Sequence, residues 1–421
     1  MQATRTKQLL HKNSIKGDAK ICIFGAGDYG KRLYCLLKFS SIAIAMFADN
    51  NPIKWGKPVF GDVICQGPDT LLPNKECLLM IVAIKNEPEK IAAALRDMGF
   101  PYIVLMGDII DKLEINAMNL VEDIGAELVR YMAYSGVGTD KCLEYDCLPM
   151  QRHFYQPIPD IKDLERRNIW ERKSKLSGIR WEADRYVANL KDIAKYQPAY
   201  DWALSATADP LEFHLANSSF SYICASFLYG MIRKHRPQKI IEIGSGNSTR
   251  VIRKAIMDNM SDGVPPTSYK VIDPYCAFGS LDHAEIINMP VEEVDLTIFE
   301  ELEENDILFI DSSHTVRIGG DVNYEILEIL PILGPGVLIH FHDIPMPYEY
   351  GKTYATDPTF RVFWTESYLL QAFFVFNDSF EVLLPAMYLL QEQLAVCNEC
   401  YPSMMNTDSW HSASLWLRRM K

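Results

Sequence analysis

The chain has 421 residues, too many for one ordinary core, so two or three domains are expected. Hydrophobic residues make up 48% and charged residues 23%, the composition of a folded globular protein rather than a disordered one. The formal net charge of -13 argues against a nucleic-acid binder, which needs a basic face to neutralise phosphates.

No apolar run reaches the roughly 18 residues of a membrane span. The start, "MQATRTKQLLHKNS", lacks the apolar core and small-residue cleavage site of a secretory signal. Ten cysteines are scattered in no framework pattern and read as reduced thiols, so a cytoplasmic location is expected. Cys397 and Cys400 form a lone C-x-x-C, and Cys142 and Cys147 a looser pair whose spacing is poor for zinc.

Residues of about 18 to 115 alternate between short apolar runs and helical patterns. Strands are expected at 20–24, 42–47, 77–84 and 102–106, with helices at 30–38 and 88–98 between them. This alternation implies a parallel sheet with right-handed crossovers, a Rossmann-like domain over 1–115. Its first turn, "ICIFGAGDYGKR", is a full G-x-G-x-x-G with Gly25, Gly27 and Gly30 between strand and helix. Asp49 ends the next strand, where it would take ribose hydroxyls while the helix N-terminus takes a pyrophosphate. The stretch "FADNNPIKWGKPVFG" that follows resembles N-terminal domains of sugar acetyltransferases and other sugar-modifying enzymes. That resemblance implies a nucleotide or nucleotide-sugar ligand. No Tyr-x-x-x-Lys pair follows, so a binding or docking domain is expected here rather than a redox enzyme.

From 116 to 204 the pattern turns charged and helical, with a proline-marked connector at "HFYQPIPDIKDL". A mainly helical bridge is expected. From 205 to 421 a second α/β run begins, with strands expected at 239–243, 269–272, 307–310, 337–341, 380–384 and 414–418. Helices are expected at 249–259 and 324–333.

The first strand of this run opens a different glycine turn, "KIIEIGSGNSTR". Gly244 and Gly246 let the backbone pass close to a ligand, and Glu242 stands inside the strand just before them. A carboxylate there repels a pyrophosphate and attracts an amino or sulfonium group. Asp273 ends the next strand, where an acid can hold both hydroxyls of a ribose. Asp311 ends the one after. Three strand ends, each with an acid, define a site for a ribose-bearing cation.

In these residues the chain resembles a class I S-adenosylmethionine-dependent methyltransferase. "EIGSGNST" is similar to the family's first motif and Asp273 to its ribose-binding acid, and "FEVLL" followed by "SLWLRR" resembles its last two, antiparallel strands. "ILFIDSSH", "GGDVN", "PGVLIHFHDI" and "FWTESYLLQAF" are similar to a bacterial subgroup linked with surface-polysaccharide or secondary-metabolite genes. The resemblance implies two Rossmann-like units, the second a seven-stranded methyltransferase sheet. It also implies S-adenosylmethionine on Glu242, Gly244, Ser245, Gly246, Ser248, Thr249, Asp273 and Asp311.

The acceptor is expected past the strands at 307–310 and 337–341. Asp311 to His314 ("DSSH") and His340 to Asp343 ("HFHD") lie there, with His340 and His342 on one strand face. His342 and Asp343 lie nearest the strand end and are expected to contact the acceptor. His340 lies deeper, either in the site or as a hydrogen-bonded core residue. In catechol O-methyltransferase-like enzymes, acids at these strand ends bind magnesium, and Asp311 and Asp343 resemble them; with an imidazole added, a divalent ion is expected on Asp311, His342 and Asp343. The imidazoles depart from that pattern and would suit manganese, iron or zinc. Without a metal, His314 or His342 would be the general base. The segment 345–364 is long enough for a lid, and its Tyr348, Tyr350, Tyr354 and Trp364 suit stacking on a ring.

The expected function is methylation of a hydroxyl, less readily an amine or carbon, on a saccharide or other small polar metabolite. A homo-oligomer is compatible with it. Two alternatives stay open, an NAD-dependent sugar oxidoreductase or epimerase and a non-enzymatic nucleotide-binding scaffold.

Overall fold

The computed structural model describes residues 19–39, 42–60, 63–112, 117–217, 219–278, 281, 283–403 and 413–421. The basic start of the chain lies outside them. The chain divides into two compact units, Met1–His153 and Phe154–Lys421.

In the first unit, strands β1 (Lys20–Phe24), β2 (Met46–Ala48), β3 (Pro58–Phe60), β4 (Val63–Gln66), β5 (Leu78–Val82) and β6 (Ile103–Leu105) form one sheet. Their order is β3-β4-β2-β1-β5-β6, parallel throughout except for the antiparallel β3–β4 pair. The central strand is apolar on both faces because both are covered. Ile21 and Ile23 pack with Leu33 and Leu37 on one side, Cys22 and Phe24 with Ala92 and Leu95 on the other. The strands β3 and β4 were not expected. They are short, partly exposed segments that extend the sheet beyond β2, with little apolar pattern to mark them.

The second unit carries β7 (Lys239–Ile243), β8 (Ser268–Ile272), β9 (Ala284–Ile287), β10 (Ile307–Ile310), β11 (Leu338–Phe341), β12 (Phe380–Pro385) and β13 (Leu415–Arg419). Their order is β12-β13-β11-β10-β7-β8-β9, with β13 antiparallel to both neighbours and the other pairings parallel. This is the seven-stranded class I methyltransferase arrangement, including the expected antiparallel end. The half-exposed edge strand β9 was not anticipated.

The helix Tyr222–His235 follows a serine cap, with Ser221 Oγ accepting from the amide of Cys224 at 3.2 Å. It is buried almost all round, with Tyr200 and Trp202 packed on its Tyr229 and the helix Ala183–Ile193 meeting it at Gly230. At Gly230 an added Cβ would lie 3.0 Å from Ile193, so the two helices touch backbone to side chain there. Arg185 pairs with the buried Glu381 of β12 at 2.6 Å, and Asn189 donates to the carbonyl of Leu383 at 3.0 Å. The section 116–204 therefore divides between the units, its part after His153 packing into the second.

Candidate active site

The carboxyl ends of β7, β8, β10 and β11 lie side by side in the sheet, which brings the expected acids to one edge. Gly244 makes the turn possible. Its φ is +81°, and a Cβ there would stand 2.0 Å from the carbonyl oxygen of Asp311. Nothing lies within 4 Å of the Cβ position at Gly246, so the space over the second glycine is open.

Glu242 is fully buried and faces the helix Asn247–Ser261. Its carboxylate accepts from Ser248 Oγ at 2.6 Å, from Thr249 Oγ1 at 2.9 Å and from the Tyr269 hydroxyl. Burial raises its pKa to about 7, against the pull of those three hydroxyls. Glu242, Ser248 and Thr249 thus brace the turn from behind, with Thr249 also accepting from the Gly246 amide at 2.9 Å. Asp273 is half-buried at the front. It accepts from the Ser245 amide at 3.0 Å, from the Ser245 hydroxyl, and from the Tyr275 amide at 2.7 Å.

Past β10 and β11 the structure brings together residues far apart in sequence. His314 is 5% exposed, and its Nε2 lies 3.3 Å from Asp311 and 3.8 Å from Asp343. Its Nδ1 meets Glu366 Oε2 at 2.8 Å. Burial alone would lower its pKa, but the bonds to Asp311 and Glu366 outweigh burial and hold the ring charged. A ring whose pKa is raised by acids at both nitrogens holds its proton, which speaks against His314 as general base. Asp311 stays below its usual range because His342 and the His314 bond outweigh burial.

His342 is buried and stacks on Phe220 at 4.8 Å, with its Nε2 3.9 Å from Asp343 and its Nδ1 without a partner among the described residues. His340 is fully buried between Phe309 and Trp416, and neither ring nitrogen has a partner among the described residues. Of the two alternatives it is the core residue, without a hydrogen bond to its ring among the described residues. Burial drives its pKa well down and keeps it neutral.

The expected metal on Asp311, His342 and Asp343 is not supported. Among the described residues no group of three acidic, histidine or cysteine side chains converges for an ion. The physical reason is His314, whose imidazole stands between the two aspartates.

Asp343 also lines a cavity of about 440 Å³. Its walls include Tyr348, Tyr350, Tyr354 and Trp364, the four aromatic residues expected there, and Trp170, which was not. Trp364 packs on Tyr354 at 4.5 Å and on His314 at 4.6 Å, tying the wall to the charged cluster. The buried Nε1 of Trp170 has no partner among the described residues. Sequence reasoning missed Glu366, Phe220 and Trp170 because none belongs to a strand-end motif. "FWTESYLLQAF" marked the segment of Glu366 but not its role.

In the first unit, Gly25 has φ +107° and Gly30 faces the Gly25 carbonyl, 1.8 Å from where a Cβ would sit. Both glycines are required by the turn itself, whereas Gly27 borders open space. Asp49 accepts from the amides of Ala26 at 2.8 Å and Asn51 at 2.9 Å, and from Lys54 at 2.9 Å. Burial acts upward on its pKa, but these bonds leave it lowered. The nucleotide or nucleotide sugar expected here has no support beyond this turn.

Residues 241–344 match a family model described as a methyltransferase domain. A solved, SAH-bound Podospora anserina methyltransferase, PaMTH1, is 16% identical with a TM-score of 0.32, over 57% of this chain and 95% of that one. An SAH-bound O-methyltransferase from Bacillus cereus is 13% identical with a TM-score of 0.27, over 56% of this chain and 91% of that one. Both likenesses are too loose to bear on function. The sheet order gives the second unit the class I methyltransferase fold, and residues 241–344 within it match the methyltransferase-domain model. An uncharacterized protein of Archaeoglobus fulgidus is 31% identical over 164 residues, which span 36% of this chain and 73% of that one. The chain belongs to the family of that archaeal protein.

Proposed function

We propose that the protein transfers the methyl group of S-adenosylmethionine to a hydroxyl of a saccharide or other small polar metabolite. One observation carries this reading. An open glycine turn with an acid at the neighbouring strand end lies on the same sheet edge as an aromatic cavity bordered by Asp343. On this reading the cofactor lies over Gly244–Gly246, with Asp273 on its ribose. Glu242 braces the turn from behind without touching the cofactor, and Asp311 closes the sulfonium side.

Methyl transfer is an in-line displacement: the acceptor oxygen bonds to the methyl carbon as the carbon–sulfur bond breaks, releasing S-adenosylhomocysteine. The acceptor proton must leave. Asp343 lines the cavity and is best placed to take it, with His342 beside it. The aromatic walls suit the apolar face of a sugar ring. Transfer of radiolabelled methyl from S-adenosylmethionine to a panel of sugars, glycosides and phenols tests this. Labelling confined to amines or to no small molecule would reject the hydroxyl assignment.

For the first unit we propose a nucleotide-containing ligand over Gly25–Gly30, without redox chemistry. The open space at Gly27 favours it. Asp49 would have to exchange one of its present partners for a ribose. Thermal shift of the full chain with NAD and nucleotide sugars tests it, no shift counting against it.

A further inference from the structure

We propose that His314, clamped by Glu366, fills the place between Asp311 and Asp343 that a divalent ion would otherwise occupy, making this a metal-independent site with Glu366 as a positioning residue. The inference rests on reading the ends of β10 and β11 as the acceptor side.

The geometry is that of a bridge. Two carboxylates at adjacent strand ends are the natural seat of a hard cation, and one imidazole nitrogen faces both, at 3.3 and 3.8 Å. The ring cannot turn away, because its other nitrogen is held at 2.8 Å by Glu366, itself 1% exposed. The backbone is pinned as well. The amides of Thr365 and Glu366 donate to the His314 carbonyl at 2.9 and 3.1 Å, and the Val316 amide donates to Thr365 Oγ1 at 2.7 Å. His314 and Asp343 both adopt left-handed conformations, with φ of 57° and 53°. Such conformations are sparse for residues other than glycine and persist where the surroundings over-determine them. Trp364 covers the ring at 4.6 Å and lines the acceptor cavity, so the clamp also shapes that wall.

A protonated imidazole in this seat does one thing an ion would do and omits another. Its single positive charge offsets part of the charge of Asp311, Asp343 and Glu366, and its Nε2 stands beside Asp343 at the cavity. It offers no open coordination position to an acceptor oxygen. Acceptor deprotonation then falls to a side chain.

The probe is manganese(II), measured by electron paramagnetic resonance and calorimetry on the full chain, with S-adenosylhomocysteine binding followed in the same samples. Wild type should bind no manganese at millimolar concentration. His314→Ala should gain one manganese site, and His314→Ala with Asp311→Asn should lose it. Manganese binding by wild type that disappears in Asp311→Asn would overturn the proposal. So would a folded His314→Ala that binds none. If that variant does not fold, ¹⁵N-histidine spectra decide. The His314 signal, assigned by its loss in His314→Gln, should show two protonated ring nitrogens near neutral pH, and Glu366→Gln should release one of them. A singly protonated ring in wild type would overturn the clamp. Failure of every sample to bind S-adenosylhomocysteine would sink the transferase reading instead, leaving the manganese result to stand by itself.

Discussion

The carbonyl oxygen of Asp311 lies 2.0 Å from where a Cβ on Gly244 would stand. The first turn of the second unit is thus pressed against the end of β10, with φ of +81° at the glycine. Gly244→Ala should destabilise the protein by at least about 2 kcal/mol, from left-handed strain and the clash together. Gly246→Ala meets no neighbour within 4 Å. It should keep the fold and weaken S-adenosylhomocysteine binding about tenfold. Denaturant unfolding and calorimetry on the two variants separate these effects, and equal behaviour would mean that the turn is misassigned.

Glu242 sets a pH dependence. Its pKa is raised to about 7 from an ordinary value of 4.5, so the folded chain holds this proton more tightly than the unfolded chain does. The stabilisation is complete below the unfolded value and is lost as pH rises through the folded one. Glu242→Gln removes this dependence. Between pH values of about 5 and 8, the melting temperature of the variant should gain on wild type by a few degrees. Parallel melting curves across that range would show that the carboxyl is ionised throughout.

Asp343 lines the aromatic cavity, and His342, stacked on Phe220, lies 3.9 Å from Asp343. Asp343→Asn should lower turnover about 100-fold or more, in the range of a lost general base. His342→Ala should lower it less, and neither should change S-adenosylhomocysteine affinity more than about twofold. Once labelling identifies an acceptor, steady-state kinetics with calorimetry reads both quantities. Near-normal turnover in Asp343→Asn would return the role to His342.

The first unit should show no change in NAD(P)H absorbance with sugar nucleotides, because no proton donor at hydride-transfer spacing follows its turn. Turnover abolished by Gly27→Val would revive the oxidoreductase alternative.

Much of this architecture could be read from local pattern. Central strands such as β1, β7 and β10 are buried on both faces, and their unbroken apolar runs declare them. Edge segments such as β3, β4 and β9 bury little, so nothing in their residues sets them apart from loops. The site divides in the same way. Glycines and acids at strand ends occupy fixed offsets from visible strands, which made Gly244, Asp273, Asp311 and Asp343 findable. Glu366 and Trp170 reach the site from segments 52 residues after His314 and well before β7, respectively, and only packing joins them to it. His314 was noted, but its partners decide its chemistry. Without Glu366 it reads as a base, and with Glu366 it is a ring held by acids at both nitrogens.

Ser245 donates both its amide and its hydroxyl to one carboxylate oxygen of Asp273, which holds that acid at the mouth of the open turn. If S-adenosylmethionine occupies this turn, Asp273 carries the ribose. Calorimetric titration of the full chain with S-adenosylhomocysteine should then give one binding site, weakened about tenfold or more by Asp273→Ala. No binding to wild type, or an affinity unchanged in Asp273→Ala, would contradict the cofactor assignment.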